Sequence, residues 1–248
     1  MAAYYFGVYH WRRRLRSLAF ATGAVCLAAL FRRRQSLGST VLAVALAIGA
    51  TACGARTLSQ VLSPPPWAIE RCKYDALAAR LSLGKSETIL DVGCGTGRSL
   101  VGLAPHLPSS ATVLGLDVFD DRVILGNAPG LARRNAAIAG LDVTPVRGDG
   151  TRLPIASGSV DTVTACRVLH DLPAADIEPA LRELHRVCGT EGVLGVLELP
   201  LVPEGIEADP ESYWRKRVLE AGFEIERLDR VDRKGRDSQY VLLIARPA

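Results

Sequence analysis

A chain of 248 residues, 48% of them hydrophobic, is long enough for one sizeable core plus an appendage. The net charge of +4 is unevenly spread: residues 1–56 hold eight arginines (12, 13, 14, 16, 32, 33, 34 and 56) and no Lys, Asp or Glu, which leaves 22 basic against 26 acidic residues, −4, for residues 57–248. The isoelectric point of 8.8 therefore belongs to the N-terminal part, and it does not argue for a nucleic-acid interface.

Ser17–Phe31 and Leu37–Ala55 are uncharged apolar runs, bracketed by Arg12-Arg13-Arg14-Leu15-Arg16 and Arg32-Arg33-Arg34. The second is long enough for a hydrocarbon core of roughly 30 Å. The first is shorter and needs snorkelling arginines or the interfacial aromatics Tyr4, Tyr5, Phe6, Tyr9 and Trp11. A helical hairpin is expected, with a first helix lying in the interface as the alternative. Four arginines precede the first run and Arg56, Arg71 and Lys73 follow the second, against three in the connector, so both ends are favoured on the cytoplasmic side. A secretory leader is the competing reading, with Ala50-Thr51-Ala52-Cys53 resembling a lipoprotein cleavage site.

Ser63-Pro64-Pro65-Pro66 is a stiff extended spacer. The expected division is a membrane-anchoring segment over 1–56, a Pro-rich linker over 57–66 and a globular domain over 67–248. Trp67–Leu83 reads as an amphipathic helix whose Tyr74 is one of the apolar positions that face the core. The six cysteines (26, 53, 72, 94, 166 and 188) form no C-x-x-C pair or metal-spaced cluster, so no metal site is expected.

Thr88–Val92 then reads as a strand, Gly93-Cys94-Gly95-Thr96-Gly97 as a tight turn, and Arg98 onward as a helix. Such a turn lets backbone N–H groups approach a bound molecule where a Cβ would clash. Dinucleotide sites favour G-x-G-x-x-G. Here the spacing is G-x-G-x-G with Asp91 directly before it, a carboxylate that repels a pyrophosphate and suits a ligand carrying an ammonium and a sulfonium. The run D-V-G-C-G-T-G resembles motif I of the class I S-adenosylmethionine-dependent methyltransferases, in their type 11/25-like form.

Beyond the turn, Ala111–Asp117 is a second strand ending in a carboxylate 20 residues past Gly97, suited to ribose hydroxyls in either cofactor class. Residues 118–130 interrupt the expected passage to the next helix as a short insertion near the substrate side. Val143–Val146 is a third strand, closed by Gly148-Asp149-Gly150. Three carboxylates, Asp91, Asp117 and Asp149, thus close three successive strands. The resemblance implies that Asp149 accepts from the adenine amino group. It places the cofactor against Asp91, Gly93, Cys94, Gly95 and Gly97, and against Asp117, Val118, Asp149, Gly150, Cys166 and Arg167.

The fourth strand ends at Ala165-Cys166 and gives way to Arg167-Val168-Leu169-His170-Asp171. His170 is a candidate general base that Asp171 could orient, or a helix-start pair that only packs and caps. A helix over Ala174–Cys188 stops at Gly189, and Val193–Pro200 is the fifth strand. Its Leu197-Glu198-Leu199-Pro200 ending resembles the L-E-F of ubiquinone and menaquinone biosynthesis methyltransferases, and Glu198 is a second candidate base. Asp209–Ala221 is a helix entered through Pro210, and Gly222–Leu228 with Gln239–Ala245 closes the sheet as an antiparallel pair.

The fold implied by this resemblance is α/β: a three-layer Rossmann-like sheet of seven strands, mostly parallel with the last antiparallel, preceded by an apolar helical hairpin. The implied enzyme uses S-adenosyl-L-methionine to methylate a small, lipid- or quinone-like acceptor at the membrane, with its catalytic domain on the cytoplasmic side and no nucleic-acid partner. Two alternatives come from other classes: a catalytically silent S-adenosylmethionine-binding membrane protein, and an NAD(P)-dependent reductase.

Overall fold

A computed structural model describes residues 3–33, 36–62 and 65–248. Arg34 of the connector and Ser63 and Pro64 of the spacer lie outside them. The chain divides into two compact units, one of residues 69–119 and 128–248, the other of residues 4–68 and 120–127.

The larger unit is built on a seven-stranded sheet. Its strands are β1 (Thr88–Val92), β2 (Thr112–Asp117), β3 (Thr144–Arg147), β4 (Val160–Cys166), β5 (Cys188–Glu198), β6 (Phe223–Asp232) and β7 (Gln239–Pro247). They lie in the order β3-β2-β1-β4-β5-β7-β6. The first five pair in parallel, while β7 runs antiparallel between β5 and β6. The mostly parallel sheet with an antiparallel closing pair is the one expected.

Strand period 2 distributes the apolar residues to two faces. Leu90, Val92, Val163, Leu194, Val196 and Leu243 pack with Leu181, Leu184, Trp214 and Val218 of α6 (Ile177–Val187) and α7 (Pro210–Glu220). On the other face Leu197, Leu242 and Ile244 meet Tyr74 and Leu77 of α3 (Cys72–Ala78), and Ile89 and Val113 meet Leu100 of α4 (Arg98–Leu103) and Ala132 and Ala136 of α5 (Pro129–Ile138). Helices therefore cover both faces, which is the three-layer arrangement.

Two local expectations are corrected. The helix expected over Trp67–Leu83 is the seven-residue α3, because Pro65 and Pro66 and the turn at Trp67 delay its start. Gly189 does not cap α6: Cys188 takes extended backbone (φ −65°, ψ 132°) and β5 starts there, so helix passes into strand without a loop. Pro210 does sit in the first turn of α7, where Asp209 caps by accepting from the Ser212 N–H at 2.9 Å.

In the smaller unit α1 (Trp11–Arg32) and α2 (Leu37–Leu62) pack together with Ala28, Ala43, Ala50 and Thr57 buried. Phe20, Val25, Leu30, Val41, Val44 and Ile48 stay exposed. Both helices are long and apolar enough to cross a membrane. The first starts six residues before the apolar run, taking the arginines into the helix, and at 1.5 Å per residue it reaches roughly 33 Å.

α3 is held against α4 by Gly102, where any Cβ would collide with the ring of Tyr74, itself only 2% exposed. Gly102→Val is expected to destabilise the larger unit by about 1–3 kcal/mol, read as a lowered melting temperature with the far-UV spectrum retained below the transition.

Candidate functional site

The site forms where the carboxyl ends of β1 and β4 adjoin, the point at which strand order reverses and ligands bind in open α/β sheets. After β1 the turn takes positive φ at Gly93 (73°), Gly95 (53°) and Gly97 (82°). At Gly93 a Cβ would run into the Val168 side chain, and at Gly97 it would lie 2.9 Å from the Ala132 carbonyl oxygen. These two positions admit only glycine, and they bring the turn against both the β4 loop and α5.

Asp91 lies beneath this turn and is 1% exposed. One carboxylate oxygen accepts from Thr164 Oγ1 at 2.7 Å and the other from Ser99 Oγ. Register explains the first contact, since Asp91 stands opposite Thr164 across the β1–β4 pair. Burial raises the Asp91 pKa from 3.8 to about 6, against the two hydroxyl hydrogen bonds that lower it; the nearby Asp117 adds to the rise.

Asp117, at the end of β2, points back at the turn. Its carboxylate accepts from the Gly95 N–H at 2.9 Å and from the Phe119 N–H at 2.6 Å. Val118 beside it is 52% exposed. Asp149 is exposed after β3, its Oδ1 accepting from the N–H and hydroxyl of Thr151. At Gly150 a Cβ would meet only Val92, at 3.9 Å.

Cys94 and Cys166 are buried, and burial, then the charge of Asp91, pushes both thiols well above their ordinary value. They act as small neutral side chains, not as nucleophiles. Arg167 takes left-handed backbone (φ 60°) with its N–H donated to Leu197 O at 2.7 Å, which turns the chain sharply at the end of β4. This set suits S-adenosylmethionine: glycine backbone for the amino-acid end and two strand-end acids for sugar and base, with Asp91 buried beneath the turn and each of its oxygens bonded to a hydroxyl.

His170 sits in a 3₁₀ turn (Leu169–Asp171) after β4, and Glu198 is the last residue of β5, fully buried. The parallel pairing of β4 with β5 brings them together, with His170 Nδ1 2.5 Å from Glu198 Oε2. Oε1 of Glu198 accepts from the N–H groups of Val168 (2.9 Å) and Leu169 (2.7 Å), so the glutamate fixes the loop as well as the ring. Asp171, the sequence neighbour expected to orient the imidazole, is instead 3.6 Å from Nε2 and half-exposed. Burial pulls the His170 pKa down, but the hydrogen bond and charge of Glu198, with Asp171, outweigh it and leave the pKa above 6.5.

Sequence reasoning missed Ser99 and Thr164. Ser99 stands two residues beyond the glycine turn and Thr164 two before Cys166, so both spacings were there to be read. It also missed a buried network beside the site: Lys73, 3% exposed, reaches Glu70 at 3.0 Å and the Tyr240 hydroxyl at 3.1 Å.

Residues 89–192 match the family model described as "Methyltransferase domain". Over these residues the chain is similar to S-adenosylmethionine-dependent methyltransferases. Demethylmenaquinone methyltransferase of Thermus thermophilus is 36% identical over 143 residues, 57% of this chain and 61% of that protein. The 27-O-demethylrifamycin SV methyltransferase of Amycolatopsis mediterranei is 31% identical over 150 residues, 60% of this chain and 50% of that one. This chain thus spans half to three fifths of these relatives. Among solved structures, an S-adenosylmethionine-dependent methyltransferase from Aquifex aeolicus superposes on 71% of the chain and 89% of its own length, with TM-score 0.56 and 19% identity, a likeness of fold.

The methyltransferase domain rests on a carboxylate that burial makes harder to ionise in the folded chain than in the unfolded one. Stability therefore falls as pH rises from 3.8 to about 6, by an amount of order 3 kcal/mol when complete. The melting temperature of Asp91→Asn relative to the unaltered chain is expected to improve between pH 5 and pH 8; a difference that does not change with pH would remove this account.

Proposed function

We propose that the protein is an S-adenosylmethionine-dependent methyltransferase acting at the membrane on a small quinone-like acceptor with an acidic C–H or O–H. The observation that carries this reading is the His170–Glu198 pair at the carboxyl ends of β4 and β5. The relative from Thermus thermophilus named for demethylmenaquinone supports the acceptor class, and the exposed apolar surfaces of α1 and α2 support the membrane.

In this reading residues 1–56 anchor the chain, 57–66 link, and 67–248 carry the chemistry on the cytoplasmic side. Gly93, Gly95 and Gly97 admit the amino-acid end of the cofactor, with Cys94 filling space beneath and Asp91 bracing the turn from below. Asp117 takes the ribose hydroxyls, Val118 covers the base, and Asp149 with Gly150 borders its amino group. Cys166 and Arg167 line the side toward the acceptor. Bound S-adenosylmethionine supplies a methyl group already activated on a sulfonium, so the protein's share is alignment and removal of one acceptor proton. Glu198 engages Nδ1 of His170, so Nε2, with the Asp171 carboxylate 3.6 Å away, is the nitrogen that would receive the proton. The same glutamate positions Val168, against which the glycine turn packs, so base and cofactor turn are set by one side chain.

A base must be unprotonated to act, so kcat/KM should rise with pH along a limb whose midpoint lies above 6.5. Glu198→Gln, which keeps the shape and loses the charge, should move that midpoint down. His170→Gln should lower kcat roughly 10²- to 10⁴-fold. The test is methyl transfer by the full chain in lipid nanodiscs to a demethylated prenyl-naphthoquinone, with binding measured by calorimetry. Asp117→Ala is expected to weaken S-adenosylhomocysteine roughly 10- to 100-fold, the worth of charge-assisted bonds to two hydroxyls. NADH binding without S-adenosylhomocysteine binding would overturn the reading, and cofactor binding without turnover on quinones would leave the silent binding protein in its place.

A further inference from the structure

The insertion after β2, residues 120–127, has no part in the reading above. Residues 120–127 belong to the unit of the N-terminal hairpin, separated from residues 4–68 by the 51 residues of 69–119. Within that unit the insertion pairs with the segment that enters α1. Tyr9 and Ile124 form an antiparallel bridge. The His10 N–H donates to Val123 O at 2.7 Å, and the Leu125 N–H donates to Val8 O at 3.1 Å. Next along, Trp11 Nε1 donates to Asp121 O at 2.7 Å. Gly7 (φ 72°) lies so close to Ile124 and Leu125 that it has no room for a Cβ. The same segment also closes the far end of the hairpin, since the Phe6 N–H donates to Pro66 O at 2.7 Å and the Phe6 ring is buried.

The insertion is held at its own base too. The Arg122 N–H donates to Asp120 Oδ1, the Asn127 N–H donates to Ile124 O at 3.0 Å, and Asp120 is covalently next to Phe119. Phe119 is a non-glycine residue in left-handed backbone (φ 52°), a conformation that persists only when the surrounding structure fixes it. Its N–H, like that of Gly95, donates to the Asp117 carboxylate and helps to aim it.

We propose that the insertion is a docking strand for residues 6–11, and that this pairing ties the N-terminal hairpin to cofactor affinity by holding the chain at Phe119 and so the orientation of Asp117. The inference rests on the reading of Asp117 as the ribose acid. It gives the hairpin a role inside the chain that an anchor alone would not have. A purely anchoring hairpin could be altered at its start with no effect on S-adenosylhomocysteine binding; a tied one could not.

The test uses the full chain in nanodiscs, with Gly7→Val to break the ribbon and Trp11→Phe to remove one donor while keeping the ring. Amide hydrogen exchange over residues 120–127 and the Kd for S-adenosylhomocysteine are read on each. Exchange should accelerate in both variants, more in Gly7→Val, and the Kd should rise in the same order, by roughly fivefold or more in Gly7→Val. Faster exchange with an unchanged Kd would overturn the tie, and so would unchanged exchange, because the pairing would then not be what orders the insertion. If Gly7→Val fails to fold, Trp11→Phe decides by the same two readings. Absence of S-adenosylhomocysteine binding by the unaltered chain would instead overturn the cofactor reading beneath it.

Discussion

The larger unit depends on one buried carboxylate. Asp91 is the penultimate residue of β1, and by accepting from Thr164 of β4 and Ser99 of α4 it joins the two strands that flank the switch point to the helix that leaves the glycine turn. A carboxylate with almost no exposure is costly unless its oxygens are satisfied, so those hydroxyls are as much part of the turn as its glycines. The turn in turn aims the Gly95 N–H at Asp117 and packs on Val168, which Glu198 holds from the other side. Cofactor pocket and candidate base are thus parts of one hydrogen-bonded frame across β2, β1, β4 and β5.

Much of that frame was legible in the sequence because its signals are local. A strand-forming run, an acid and alternating glycines occupy ten consecutive residues, and the acids of the next two strands follow at similar places. The partner of His170 was not legible in this way. Asp171 is adjacent in the chain and looked suited to the task, but it is half-exposed and lies 3.6 Å from Nε2, while Glu198, 28 residues on, arrives at hydrogen-bond distance because β4 and β5 are parallel neighbours. Pairing that depends on sheet register has no counterpart in short spacing. The insertion was opaque for the same reason, since its partner strand lies at the opposite end of the chain.

The division between what is shared and what is particular follows the sheet. The family match stops at residue 192, inside β5, so the rest of β5, α7 and the closing pair lie outside it. Glu198 and the Tyr240 that contacts Lys73 belong to that remainder. Relatives named for a menaquinone precursor and for a rifamycin precursor align with this chain over comparable lengths. A common cofactor frame with an acceptor side built from other segments accommodates both.

The ribbon between residues 8–10 and 123–125 also sets an order of events during synthesis. Trp11 leaves the ribosome before Asp121 exists, and 110 residues must be added before the two can meet. At roughly 5–20 residues per second that interval is about 5–20 s. For the last 59 of those residues the hairpin is complete while the strand that enters it keeps an open edge. The first helices of this chain are therefore made early but finished late, and their last contact waits on a piece of the cofactor domain.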